Sequence, residues 1–269
     1  MVDIKRLLVV SFFTMIISLI DTLSYSIRPS GVRTHKIAVA LSLFNIMAVM
    51  SRLSNMVQAP FLGSIIDKAI QLDKVNVLSI DMRFVLLSAT IGALIGAPLM
   101  PTFVSIFTVA INGMEEAGTV PKLILNLFSW ENFKKIKSKI VIPRLSMLKG
   151  IWDANIPKSF LIYNVIITSI YTTGIVSSLY AGSMIPEYRI TASQLSGIVN
   201  GFATILLTIV VDPVAALITD QALNGKKTLN DVNKMVILLV FGKILGTILA
   251  QLVFIPAAQF ILFVTKLIV

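Results

Sequence analysis

Six apolar runs, each able to supply the ~20 residues that cross a ~30 Å hydrocarbon layer as a helix, leave this chain few ways to fold. They are Leu7 to Ile27, Ile37 to Ile66, Phe84 to Ile111, Phe160 to Ile185, Leu195 to Thr219 and Val236 to Val264. Inside lipid a backbone finds no water to bond, so each run must close its own hydrogen bonds as a helix. With 56% hydrophobic and 13% charged residues, the chain carries more apolar surface than a water-soluble core of its length conceals. The expected class is an all-α membrane protein of about six transmembrane helices, several of them long enough to tilt or break. Lys5 and Arg6 ahead of the first run imitate a signal peptide. That run is too long and lacks a small-residue cleavage site, so it reads as an uncleaved anchor.

The runs are not independent. Shifted by 153 residues, His35 to Ile70 lines up without a gap on Tyr188 to Leu223, with seven identities in thirty-six positions. Ile37 falls on Ile190, Leu53 on Leu206, Val57 on Val210, Pro60 on Pro213, Ile65 on Ile218, Asp67 on Asp220 and Ala69 on Ala222. Both segments place a Pro seven residues before an Asp, and each is the middle of three apolar runs. The sequence thus predicts two three-helix repeats that enter the membrane in opposite senses, a plan common among secondary transporters. Residues 1–111 form the first repeat, 158–269 the second, and 112–157 the connection.

That connection mixes Leu, Ile, Phe and Trp with Lys near a helical period, which predicts amphipathic helices lying at the lipid surface. Its basic side suits anionic cytoplasmic lipid. It grips a lipid headgroup or a partner enzyme, or it is a tether that obeys the positive-inside rule. Lys and Arg number fourteen in the first, third and fifth connections and seven on the opposite side. Both termini are therefore expected outside, although Lys5 and Arg6 argue for a cytoplasmic start.

Zero cysteines and a single histidine, His35, exclude thiolate sites, disulfides and multi-histidine chemistry. No Walker loop, GxSxG elbow or Gly-rich dinucleotide turn is present, so neither a cofactor nor a metal is expected, and a gradient or the substrate itself must supply any driving force.

Charges inside the apolar runs carry the case for a passage. Asp21, Arg52, Asp212 and Lys243 lie there, and each facing lipid at mid-depth costs on the order of 2.5 to 3.5 kcal/mol. Neutral polar residues extend them along helix faces: Thr14, Ser18 and Tyr25 with Asp21; Asn45 and Asn55 with Arg52; Asn164, Thr168 and Tyr171 together; Asn200, Thr204 and Thr208 with Asp212; Thr247 and Gln251 with Lys243. Interhelical glue at ~0.6 kcal/mol per bond explains single Ser and Thr residues. Arg52 demands more. It faces a water-accessible cavity, or it forms a dry ion pair with Asp21 or Asp212. Arg28, Arg33 and Lys36 stand between the first two runs, where they anchor the positive side or capture phosphate. GxxxG pairs at Gly92 and Gly96 and at Gly242 and Gly246 permit close helix crossings. Pro60, Pro98, Pro101, Pro213 and Pro256 each remove an amide donor inside a run and predict kinks or breaks.

The run "IDTLSYSIRPSGVRTHKIAVALSLFNIMAVMSRLSNMVQAPFLGSIIDKAI" and the run "TTGIVSSLYAGSMIPEYRITASQLSGIVNGFATILLTIVVDP" resemble the Amj family of alternate lipid II flippases, and the likeness covers nearly the whole chain. The resemblance implies a multi-pass protein of the bacterial cytoplasmic membrane. It would move undecaprenyl-pyrophosphate-linked disaccharide-pentapeptide from the inner to the outer leaflet, as peptidoglycan synthesis requires. The expected partners are lipid II and membrane lipids, with no nucleic acid and a possible homo-oligomer. The resemblance carries over no substrate residues. From the physical reading the path comprises Asp21, Arg28, Arg33, Lys36, Arg52, Asn55, Thr208, Asp212 and Lys243. The competing classes are a membrane scaffold and an embedded enzyme acting on an isoprenoid phosphate, for which Glu115 and Glu116 are the adjacent carboxylates.

Overall fold

A computed structural model of the chain describes residues 1–119, 122, 151 and 156–269. Its helices are α1 (Ile4–Ser24), α2 (Ile27–Thr34), α3 (Ile37–Gln71), α4 (Val75–Ala117), α5 (Lys158–Met184), α6 (Arg189–Leu206), α7 (Asp212–Leu223) and α8 (Leu229–Ile268). A 3₁₀ turn, Pro186–Tyr188, leads into α6, and a π-helical turn, Leu207–Val211, joins α6 to α7. Among the described residues, six segments are long and apolar enough to cross a membrane: Ile4–Thr34, Ile37–Gln71, Val75–Met114, Lys158–Met184, Pro186–Leu223 and Leu229–Ile268. Their number and order agree with the six apolar runs. The interfacial helices expected in the connection lie outside the described residues, except that α4 runs on to Ala117.

Local chemistry sets the helix ends. Asp3 caps α1 by accepting the Arg6 amide at 3.2 Å and also takes the Lys68 ammonium at 2.9 Å, which holds its carboxyl below the ordinary carboxylate range. Thr228 and Asp231 form a reciprocal capping box at the start of α8. Gly118, at φ 70°, ends α4 in the left-handed region that glycine enters without steric cost.

Two differences from the sequence expectation concern breaks. The stretch IRPSGVRT, which in the sequence begins where the first run ends and serves as the connection to the second, forms α2, a buried helix packed against α3 and α4. Pro29 stands in its first turn, where its missing amide has no intrahelical acceptor to lose. Gly31 lets α2 approach α3, because a Cβ there would lie 2.7 Å from that of Ala40. The prolines also behave unequally. Pro60, Pro98, Pro101 and Pro256 are carried inside continuous helices, and only Pro213 marks a change of helix, just after the π turn.

Close crossings build the bundle. A Cβ at Gly92 would meet the Met15 carbonyl, and one at Gly96 would meet Thr22, so α4 lies directly on α1. Gly242 and Gly246 do the same for α8 on α5, against Asn164 and Thr168. At the end that carries Asp3 and Thr265, here the terminal face, one apolar cluster draws on both halves: Leu7, Leu62, Ile66 and Met82 pack with Tyr180, Leu195, Phe254 and Ile261. At the opposite, basic face the core divides. Ile27, Ala40, Leu43 and Ile111 form one cluster within the first half, and a separate one around Phe160, Ile218 and Met235 also takes in Leu23, Val32 and Met100 of the first half.

Candidate functional site

Between these clusters lies a cavity of about 400 Å³ lined by five of the six spans' polar faces. Thr14, Ser18 and Asp21 reach it from α1, and Asn45, Ser51, Arg52 and Asn55 from α3. Thr168 and Tyr171 come from α5, Asn200 and Thr204 from α6, Thr208 from the π turn, Asp212 from α7, and Lys243 with Thr247 from α8. The four-residue spacing that suggested stripes is what brings these groups to one side of each helix. Of the nine residues assigned to a path, Asp21, Arg52, Asn55, Thr208, Asp212 and Lys243 line this space.

The other three divide. Arg28 sits at the cavity's edge on α2, its side chain 8% exposed, and donates to Asp212 at 2.8 Å. Arg33 is exposed and Lys36 half-buried, and neither lines the cavity. Of the three cations clustered in sequence, Arg28 alone is tied to the cavity lining, through Asp212.

Ion pairing settles the alternatives posed by Arg52. Asp21 pairs with Lys243 at 3.4 Å and Asp212 with Arg28 at 2.8 Å, both between the two halves of the chain. Arg52 is exposed to the cavity and makes no ion pair among the described residues. Three cations thus face two carboxylates, and the site keeps one positive charge in excess. In a region of low dielectric that excess attracts an anion far more strongly than it would in water. Arg52 and Arg28 offer forked donors suited to phosphate oxygens. On Arg28 one nitrogen bonds Asp212, while the buried Nε has no hydrogen-bond partner.

Further unsatisfied atoms gather on the same lining. Ser18 Oγ, Ser51 Oγ and Asn200 Oδ1 are buried and make no hydrogen bond, a costly state unless a ligand or water completes them. Gln58, which the stripes omitted, lines the cavity and donates to Thr14 at 2.5 Å. Asn55 donates to the Tyr171 hydroxyl at 3.4 Å, joining α3 to α5 across the space. Gln58 was legible as the residue three positions beyond Asn55, on the Arg52 face.

Not every polar residue of the stripes belongs to the cavity. Asn164 is fully buried and donates to the Leu239 carbonyl at 2.9 Å, so it fastens α5 to α8. Gln251 and Arg83 exchange bonds, each donating to the other's carbonyl at 3.0 and 2.7 Å, and so fasten α8 to α4. Here the interhelical-glue explanation holds.

The cavity is sealed and open in different places. Toward the terminal face it ends on the shared apolar cluster, beyond which Arg189 of α6 donates to Asp67 of α3 at 2.7 Å. Sideways, α3 and the α6 to α7 segment both line it but hardly touch one another.

A family model described as "Alternate to MurJ", Amj, matches residues 13–265. A protein of Bacillus subtilis (strain 168) named "Lipid II flippase Amj" is 40% identical over 262 residues, covering 97% of each chain. No solved structure matches. Six membrane-crossing helices around a polar, cation-rich cavity, together with a match over nearly the whole length, place the sequence: the chain belongs to the Amj family.

Proposed function

We propose that the chain is a lipid II flippase, a transporter and not an enzyme. It moves undecaprenyl-pyrophosphate-linked disaccharide-pentapeptide from the inner to the outer leaflet of the bacterial cytoplasmic membrane for cell-wall synthesis. The observation that carries this reading is Arg52, without a carboxylate partner among the described residues, in a polar cavity within six apolar spans. A pyrophosphate with its first sugar suits a space of about 400 Å³, and the separation of α3 from the α6 to α7 segment leaves room for the remaining head and the lipid chain. The name of the Bacillus subtilis relative supports the substrate.

Transport proceeds by alternating access between two inverted repeats. The halves use their GxxxG pairs alike, the third span lying on the first and the sixth on the fourth. The 153-residue offset carries Arg189 to Lys36 and Asp67 to Asp220, again a basic and an acidic residue, at the other end of the bundle. The state described is closed at the terminal face by the shared apolar cluster and the Arg189 to Asp67 bond. With the basic face cytoplasmic and both termini outside, this is the state that receives lipid from the inner leaflet. Arg28, Arg52 and Lys243 hold the phosphates, Asn55 and Thr208 bond the head, and Asp21 and Asp212 take the cations back after release. Arg33 and Lys36 draw anionic headgroups to the entry.

The test is rescue. In a bacterium depleted of its principal lipid II flippase, expression of this chain restores growth and the exposure of lipid II on the outer leaflet, measured directly. Growth without renewed exposure would assign it to the scaffold class. Exposure of another isoprenoid-linked sugar would keep the transport class and change the substrate.

A further inference from the structure

A second, smaller space of about 200 Å³ opens beside the cavity at the basic face, between α2, α3 and α7. Ile27, Ile37, Leu41, Phe44, Ala216 and Leu223 line it. It lies where Ala40 and Leu43 of α3 pack into one cluster, Ala215 and Ile218 of α7 into another that Ile37 of α3 only borders, and the two helices hardly touch. Leu41 is 46% exposed, so the crevice reaches the lipid-facing surface.

The crevice meets the polar cavity at two residues. Phe44 lines both spaces. Arg28 lines the crevice, lies 5.3 Å over the Phe44 ring and bonds Asp212 of the cavity. Its Nε is buried and without a hydrogen-bond partner, so the guanidinium at that junction has donor capacity that the protein does not use. An anionic head and an apolar slot thus share one boundary, the geometry that a phosphate attached to a hydrocarbon chain requires. A second headgroup does not fit the crevice. Its polar lining beside Arg28 is Thr219, already bonded to the Ala215 carbonyl at 2.7 Å, and the carboxylate-bearing Asp220, which repels phosphate.

Building on the flippase reading, we propose that this crevice is the binding site for the isoprenoid units next to the pyrophosphate of the transported lipid. Arg28 stands at the boundary between chain and head. Ordinary acyl chains are as apolar as isoprenoid ones, so the crevice gains its selectivity from the tether: the chain enters because the head is held.

The experiment uses the full chain in vesicles with p-benzoylphenylalanine in place of Leu41, or, as a control, in place of Leu252, an exposed residue of α8. On irradiation with radiolabelled undecaprenyl pyrophosphate, the Leu41 position is expected to capture the probe, and excess inorganic pyrophosphate is expected to reduce that capture about tenfold. Capture at Leu252 is expected to be weak and indifferent to pyrophosphate. Separately, Ala216→Trp, which fills the crevice from an exposed position, is expected to weaken undecaprenyl pyrophosphate binding about tenfold and to leave inorganic pyrophosphate binding within about twofold. Equal loss for both probes, loss for neither, or capture at Leu41 that pyrophosphate does not compete would each overturn the chain site while leaving the phosphate site intact. If the unmodified protein bound neither probe, the phosphate reading itself would fail, and the crevice assignment with it.

Discussion

Arg28 and Asp212 meet at 2.8 Å although 184 positions separate them in sequence, and their bond joins the short buried helix of one half to the start of α7 in the other. Removing one member leaves the other charge uncompensated in a poorly solvated place, which costs up to about 3 to 5 kcal/mol for a fully buried pair and less here because Asp212 is 36% exposed.

For this pair, Arg28→Ala and Asp212→Ala are expected to lower the amount of folded protein in the membrane and to abolish rescue. The exchange Arg28→Asp with Asp212→Arg is expected to recover folded protein but not lipid II exposure, because the phosphate donor has moved. Thermal unfolding in detergent, set beside the exposure assay, checks both. Full activity of the exchanged protein would make the pair purely structural.

Arg52 behaves differently because nothing among the described residues depends on it for neutralisation. Arg52→Ala is expected to leave the unfolding temperature within a few degrees of wild type and to reduce flipping about 10- to 100-fold, the equivalent of one or two charged hydrogen bonds. Arg52→Lys keeps the charge, loses the fork and is expected to recover only a minor part. A reconstituted flipping assay decides it, and wild-type flipping by Arg52→Ala would remove the centre of the proposed site.

The glycines offer a contrast within one residue type. Gly92→Ala would drive a methyl into the Met15 carbonyl, and the expected cost is about 1 to 3 kcal/mol of overpacking. Gly63→Ala and Gly197→Ala meet nothing within 4 Å and are expected to be neutral or to stabilise by about 0.5 to 1 kcal/mol, since alanine restricts the unfolded chain. Measured stabilities in the reverse order would contradict the α1 to α4 crossing.

Topology can be read without background labelling because the chain has no cysteine. Lys226→Cys, in the exposed turn before α8, is expected to react with a membrane-impermeant maleimide only after permeabilisation, and Lys74→Cys, in the turn before α4, from outside intact cells. Labelling in the reverse pattern would invert the orientation.

The proposed alternating access requires the Arg189 to Asp67 contact to be transient. Cysteines at both positions, bridged by a short cleavable bifunctional thiol reagent, are expected to stop flipping, and cleavage of the bridge to restore it. Undiminished flipping by the bridged protein would show that the terminal face need not part.

The fold was legible to the extent that it follows from run length and helical spacing. The six spans appear because lipid permits little else, and Asp21, Arg52, Asn55, Thr208, Asp212 and Lys243 share a cavity because polar atoms at four-residue intervals must face something other than lipid. What one dimension hides is partner choice. Nothing in the string says that Asp21 takes Lys243 and leaves Arg52 alone, since that depends on how helices from different halves rotate against each other. Asn164 and Thr168 are one turn apart on the same helix, yet the first bonds a neighbouring backbone and the second faces the cavity. The helix at Ile27 to Thr34 was hidden by its own residues, because Arg, Pro and Gly spell a loop unless the surrounding helices are there to bury them.

The π turn at Leu207–Val211 has a geometric consequence. Asn200, Thr204, Thr208 and Asp212 succeed one another at intervals of four, and in a straight α-helix each such step overshoots a full turn by about 40°, so that three steps would wind the series about 120° around the axis. A turn that closes on the fifth residue is wider and absorbs part of that drift. The four side chains can therefore stand nearly in file, like rungs of one ladder, and a polar head moving along the proposed path would pass from rung to rung without having to revolve. Closing the π turn into α-helix with every residue kept would restore the spiral and swing Asp212 away from Arg28.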